Sequence, residues 1–307
     1  MTTAILAIIG GLIALAIGGE LLVRGAVALA RRLGISNLLT GLVIVGAATS
    51  MPEMVASVQA ALIGSPEIAW GNIAGSNIAN SLLILGATAL IAPIAITGIG
   101  KRDAAVAVGA SALMWVLAWW QTGTIWLGVA LLALLGLYIA WRYSHPRVLA
   151  DEDVGEGGDL GLGPALALTL GGVGVLVLGG TWLVGGAIDI ARMAGISETV
   201  IGLTIVAVGT SLPELAASAA AAFRGKPGLA IGNVVGSNIY NILLIGGATM
   251  LLAPFPIPAE LALVQIPLVI GSAVLIWALL AYGQRIGRIT GALLLAGFAA
   301  NTALQFL

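Results

Sequence analysis

The sequence predicts an all-α integral membrane protein: ten transmembrane helices arranged as two inverted-topology repeats of five. Three observations carry this. Of 307 residues, 60% are hydrophobic and only 8% are charged, whereas a soluble domain carries charge on about a quarter of its residues. A segment also occurs twice: GAATSMPE ends at Glu53 and AVGTSLPE ends at Glu214, 214 − 53 = 161 residues later. The same shift carries GNIAGSNIAN (Gly71 to Asn80) onto GNVVGSNIYN (Gly232 to Asn241) without a gap, and Gly34 onto Gly195. Finally, the basic residues gather on one side of the predicted spans.

A hydrocarbon core of about 30 Å takes about 20 helical residues, and apolar stretches of that order recur along the chain. The first, 4–30, contains Glu20 and Arg24, whose spacing fits an i,i+4 pair; it lacks a basic start and is too long for a signal peptide, so it is expected in the mature protein. Gly34-Ile35-Ser36 separates it from 37–63, and Pro93 closes 68–92. Lys101-Arg102 opens 103–120 and Arg142 closes 124–142. The second repeat reads 162–190, 198–223, 228–252, 260–282 and 287–306. The chain therefore divides into a first repeat, 1–143, a linker, 144–161, and a second repeat, 162–307, forming one intertwined membrane domain. The linker's acidic run, Asp151 to Glu156, fails as a calcium loop: its sixth position is Glu156 where glycine is needed and its twelfth is Leu162 where Glu is needed. It reads as a solvated connection.

With ten spans, Arg31-Arg32, Lys101-Arg102, Arg142, Arg147, Arg224, Lys226, Arg285 and Arg288 face one side of the membrane, and Arg192 alone faces the other. The first side is then cytoplasmic, which puts both termini outside and the linker inside. Five spans precede the second copy, so the copies cross in opposite senses. Such inverted repeats mark many secondary transporters, whose sites lie at the repeat interface near mid-membrane. The absence of cysteine and a single histidine, His145, disfavour disulfides and a zinc or iron centre. No cofactor, nucleic acid or required protein partner is indicated; the lipid bilayer is the partner the composition demands.

The repeated motif carries the chemistry. Thr49-Ser50-Met51-Pro52-Glu53 and Thr210-Ser211-Leu212-Pro213-Glu214 each place a proline and a carboxylate within a span. Proline frees a backbone carbonyl one turn earlier, which is tolerated at membrane depth only where protein, water or an ion satisfies it. Hydroxyls, freed carbonyls and carboxylates together make an all-oxygen set suited to hard cations, Ca²⁺ with about 6 to 8 ligands, or Na⁺. Asn80 and Asn241, each 27 residues after its glutamate, would add amide oxygens. Ser76-Asn77 and Ser237-Asn238 instead fit contacts to backbone at a helix break. A plainer reading is open as well: Ser50-x-x-Glu53 and Ser211-x-x-Glu214 are capping-box patterns. A charge at bilayer centre costs roughly 2.5 to 3.5 kcal/mol, more than a cap requires.

The paired G-T-S-x-P-E and G-N-x-x-G-S-N motifs, in two halves of five spans, resemble the cation/calcium exchanger superfamily, specifically its prokaryotic sodium/calcium exchanger branch. The resemblance covers nearly the whole chain. It implies a secondary antiporter exchanging Ca²⁺ for Na⁺ by alternating access, with a metal site formed by Thr49, Ser50, Glu53, Ser76, Asn80, Thr210, Ser211, Glu214, Ser237 and Asn241 and the carbonyls of Gly46 and Ala207. It also implies that spans 1 and 6 slide against a core of spans 2, 3, 7 and 8. The chain departs from the family pattern at Ala48, opposite Gly209, and at Asn80 and Asn241, one of whose positions is often acidic in the family. Three alternatives stay open: an H⁺/Ca²⁺ exchanger using the same glutamates, a passive channel, and an intramembrane enzyme, the last weakened by the lack of any further reactive group near Glu53 and Glu214. The reading is therefore not an enzyme.

Overall fold

The computed structural model of the chain describes residues 1–96, 100–145, 160–195 and 207–304. The acidic run, Arg147, Glu198 and the first part of the span expected at 198–223 lie outside the described residues. The regular elements among the described residues are helices, except for one pair of two-residue strands that the sequence reading did not include: β1, Ile94–Ala95, runs antiparallel to β2, Arg285–Ile286, with Ile94 opposite Ile286.

Helix α1, Thr2–Leu33, ends at Gly34, whose left-handed φ of 63° turns its N–H back onto the carbonyls of Ala30 and Arg31. Helix α2, Asn37–Thr49, begins at Ser36, whose hydroxyl accepts from the Leu39 N–H at 3.2 Å. It meets α3, Met51–Leu62, at a 47° bend. Helices α4, Pro66–Ile91, α5, Lys101–Trp120, and α6, Ile125–Ser144, complete the first half. The second half contains α7, Leu162–Met193, a short turn Ala207–Gly209, α8, Leu212–Phe223, and α9, Pro227–Leu252. The expected span at 260–282 is divided at Val264 into α10, Ala259–Leu263, and α11, Gln265–Tyr282; α12, Arg288–Leu304, follows. Among the described residues seven helices are long and apolar enough to cross a membrane, and the bent α2–α3 pair makes an eighth.

The duplication extends to the backbone. Gly195 (φ 75°) repeats the turn of Gly34, and Gly225 (φ 66°) repeats that of Gly64 (φ 79°); only glycine adopts this region without strain. Helices α4 and α9 form the interior, with 72% and 83% of their apolar windows buried, against 28% for α1, α6 and α7. Helices α1 and α7 pack antiparallel along a glycine seam. Gly11 meets the Gly179 carbonyl, Gly18 meets Gly172, and Gly25 meets Ala165, so position numbers fall on one helix as they rise on the other. Gly11, Gly18 and Gly25 carry over by the 161-residue shift onto Gly172, Gly179 and Gly186, which face α1 in turn. A Cβ at Gly18 would stand 2.8 Å from the Leu176 nitrogen, so glycine permits this backbone approach.

Two ion pairs alter the sequence reading of the charges. Arg142, counted from the sequence among the basic residues of one membrane side, is buried, with Nε 2.7 Å from Asp103 Oδ1; the Tyr138 hydroxyl donates to the same oxygen at 2.9 Å. Glu20 pairs with Arg24 at 2.6 Å as its spacing suggested, and also with Arg224, which joins α1 to the end of α8.

Candidate ion-binding site

The site forms where two helices are interrupted. At Ser50 the backbone leaves helical geometry (φ −81°, ψ 6°), and Ser211 does the same (φ −90°, ψ 5°). Pro52 and Pro213 then stand in the first turn of α3 and α8, where a missing N–H leaves no bond unmade. The break thus precedes the proline. It sets the positive end of each half-helix in the interior, with Glu53 and Glu214 in the first turn, where that dipole favours a carboxylate. Both glutamates are buried, with 2% and 1% exposure.

The capping-box reading does not describe the serines: neither Ser50 nor Ser211 makes a side-chain cap bond. Each turns to the opposite half. Ser50 Oγ donates to Glu214 Oε1 at 3.1 Å, and Ser211 Oγ donates to Glu53 Oε1 at 3.4 Å. The Thr49 hydroxyl lies 3.0 Å from the Val45 carbonyl and 3.2 Å from Asn233 Oδ1, again across the halves. Thr210 lies beside Ser211, partly buried.

Beneath each glutamate is an asparagine that the sequence reading did not place in the site. Asn72 Nδ2 donates to the Glu53 carbonyl at 3.2 Å and to Ser57 Oγ at 2.8 Å; Asn233 Nδ2 donates to the Glu214 carbonyl at 3.2 Å and to Ser218 Oγ at 2.8 Å. The two clamps match in both distances, and they hold the breaks against α4 and α9. Their signal in the sequence was the repeated Gly-Asn of the second motif.

Asn80 and Asn241 sit in π-helical segments, Ala79–Ile84 and Asn241–Ile245. A π turn inserts a residue and re-aims its neighbours, and such bulges concentrate at functional sites. Nothing in the local composition announced them. Asn77 and Asn238, expected at a helix break, lie in unbroken helix: Asn77 Nδ2 bonds the Ile73 carbonyl at 2.7 Å, and Asn238 Nδ2 bonds Ser81 Oγ at 3.0 Å. Ser76 and Ser237 are buried, and a Cβ at Gly46 would lie 3.2 Å from the Ser237 nitrogen, so the first motif meets the second half here. The Gly46 carbonyl accepts from Ser50 N–H at 3.1 Å and lies 3.5 Å from the Thr49 hydroxyl. Ala207 opens the short turn before Thr210.

Several buried oxygens in this cluster have no donor: Glu53 Oε2, Glu214 Oε2, Asn80 Oδ1, Asn241 Oδ1 and Ser237 Oγ among them. Buried polar atoms are nearly always partnered. Buried acceptors without donors suit a hard cation, which needs only oxygen lone pairs.

The halves are not identical. A Cβ at Gly209 would overlap Val184 of α7, whereas the corresponding Ala48 carries its methyl group. Glycine is therefore a packing requirement in the second half only.

Residues 3–144 and 164–307 match the family described as sodium/calcium exchanger protein. The membrane protein MJ0091 of Methanocaldococcus jannaschii is 36% identical over 288 residues, covering 93% of this chain and 92% of its own. The sodium/calcium exchanger MaX1 of Methanosarcina acetivorans is 29% identical over 348 residues, covering 100% of this chain and 99% of its own. Among solved structures, the sodium-calcium exchanger NCX_Mj soaked with zero Na⁺ and Ca²⁺ aligns with a TM-score of 0.85 at 31% identity over 99% of both chains. A family match over nearly the full length, on a helical fold with apolar spans, makes this chain a multi-pass membrane antiporter that belongs to the sodium/calcium exchanger family.

Proposed function

We propose that this antiporter exchanges Ca²⁺ for Na⁺, the two ions competing for one site between the halves. The observation that carries the proposal is the reciprocal bonding of Glu53 and Glu214 to serines of the opposite half, with one oxygen of each carboxylate left without a donor. Each glutamate then supplies one free oxygen to a shared ion, and Asn80 and Asn241 supply amide oxygens. Thr49, Ser50, Ser76, Thr210, Ser211, Ser237 and the carbonyls of Gly46 and Ala207 complete the set. Neither half has the whole set, so the halves must close on the ion together.

The architecture in this reading is ten spans in two inverted repeats, 1–143 and 162–307, with α8 and α12 as shorter spans, both termini outside and the linker 144–161 in the cytoplasm. The antiparallel α1–α7 seam and the repeated turns support it. Alternating access follows if the α1–α7 pair moves relative to the α4–α9 core, since the seam relies on small residues and backbone contact.

Purified protein in sealed vesicles tests the coupling. An imposed Na⁺ gradient is expected to drive uptake of labelled Ca²⁺ in the opposite direction, and Glu53→Gln or Glu214→Gln is expected to reduce it to background. Uptake that ignores Na⁺ and follows a pH gradient would transfer the assignment to H⁺/Ca²⁺ exchange through the same two carboxylates.

A further inference from the structure

Glu20 and Arg224 join two helices that alternating access has to separate. Glu20 lies on α1, and Arg224 caps the end of α8; the guanidinium meets the carboxylate as a fork, Nε on one oxygen and Nη2 on the other. Beside this pair α1 lies directly on α8: a Cβ at Gly19 would stand 2.9 Å from the Ala216 carbonyl oxygen and 3.2 Å from the Ala220 Cβ. Glu20 also keeps a partner within its own helix, Arg24 at 2.6 Å. If Arg224 withdraws, the carboxylate still has a counter-charge, so the fork can part without stranding an unpaired acid.

The duplication shows that this contact is one-sided. The 161-residue shift carries Gly19 onto Gly180 of α7, and takes Ala216, Ala217 and Ala220 of α8 back onto Val55, Ala56 and Gln59 of α3. The mirror packing of α7 on α3 is not made at those positions: the nearest atoms to a Cβ at Gly180 belong to Gly209, Leu212 and Pro213, at 3.9 Å and beyond. Val55, Ala56 and Gln59 are exposed, whereas Ala217 is buried and Ala216 and Ala220 are half-buried. The ion pair has no mirror either, because Glu20 maps onto Thr181 and Arg224 onto Ile63. One face of the molecule is closed by α1 and pinned by charge; the equivalent contact on the other is unmade and has no such pair.

We infer that Glu20 and Arg224 form a one-sided latch that holds the α1–α8 face shut and biases the exchanger towards the state open on the opposite side. This rests on the reading in which the α1–α7 pair moves against the core and the end of α8 is cytoplasmic, so the favoured state opens outwards. In inverted halves, interchanging the two arrangements gives the inward-open state. There α1 leaves Ala216 and the fork parts. The latch contacts neither glutamate of the ion site, so it changes which side the site faces and not how the site holds an ion. A forked arginine pair at a partly exposed position shifts such an equilibrium by about fivefold. Apparent affinity at one face scales with the fraction of molecules open to that face.

Sided uptake in vesicles of known orientation tests the latch, with labelled Ca²⁺ as the probe and an opposing Na⁺ gradient. Glu20→Gln and Arg224→Gln are each expected to lower the half-maximal Ca²⁺ concentration at the cytoplasmic face about fivefold and to leave the outer face nearly unchanged. The double variant is expected to match the single ones, and Arg24→Gln, which removes a charge from the same helix but leaves the fork, is expected not to lower that concentration. Unchanged values in either single variant, equal shifts at both faces, a shift confined to the outer face, or the same shift in Arg24→Gln would overturn the inference. A second measurement needs no transport. In a chain with no native cysteine, Ala216→Cys lies against α1 and is expected to react slowly with an impermeant thiol reagent from the cytoplasmic side. Combined with Arg224→Gln it is expected to react about fivefold faster; equal rates would overturn the latch. If Na⁺ moves no Ca²⁺ in the unaltered chain, the assignment of the coupling ion fails, while the labelling rates still decide the latch.

Discussion

Glu53 and Glu214 are held by different groups on their two sides, and that division is what lets them serve an ion. One carboxylate oxygen of each takes a hydroxyl from the opposite half, while the main chain of each is clamped by Asn72 or Asn233. Loss of the clamp leaves a buried serine hydroxyl without its donor, at about 1 to 3 kcal/mol for the unsatisfied group, and removes one of the bonds to a helix carbonyl. Asn72→Ala and Asn233→Ala are therefore expected to lower the thermal unfolding midpoint in detergent, and to do so by similar amounts because the two clamps have matching geometry. Ser50→Ala removes one cross-half bond to a charged acceptor, worth about 1.5 to 3 kcal/mol. Calcium affinity is expected to fall about tenfold or more, measured as the concentration for half-maximal uptake. The sequence made the glutamates, serines and threonines legible because the duplication marks equivalent positions. It does not mark which positions touch, so Ser50 reads as a cap for its own helix although it bonds an acid 164 residues away.

Among the elements, the interruptions and the close helix contacts both follow from a few small or polar residues. The proline signals located both helix breaks to within a turn, because Pro52 and Pro213 fit the start of a helix and not its interior. The π bulges at Asn80 and Asn241 were not legible. A π turn is a compromise between packing on several sides, and the residues that impose it lie on other helices. The α1–α7 seam makes its own prediction. Gly18→Val or Gly172→Val places carbon against backbone, with Cβ contacts of 2.8 Å and 2.5 Å, and is expected to destabilise the protein by about 1 to 3 kcal/mol and to slow exchange. Gly174, on the same helix, has nothing within 4 Å of a Cβ. Gly174→Ala is expected to leave uptake unchanged and to raise the unfolding midpoint slightly, since alanine favours helix by about 1 kcal/mol over glycine.

For the molecule as a whole, the claim is that two oppositely oriented halves make one site that neither makes alone. The charge asymmetry that set the orientation in the sequence is partly consumed inside the fold, because Arg142 and Arg224 pair with Asp103 and Glu20. Orientation is therefore best measured directly, and a chain with no native cysteine makes this simple. Thr2→Cys is expected to react with an impermeant thiol reagent from outside the cell, and Ser144→Cys only from inside. Residue equivalence and hydropathy gave the duplication and the membrane class; the way α4 and α9 are enclosed came from packing that no periodicity in the sequence encodes. The most direct test of a shared site is calorimetric titration of Ca²⁺ into the purified protein and its Glu53→Gln and Glu214→Gln forms. A shared site predicts one Ca²⁺ per chain, weakened by added Na⁺, with loss of binding in both variants; wild-type affinity in either variant would contradict it.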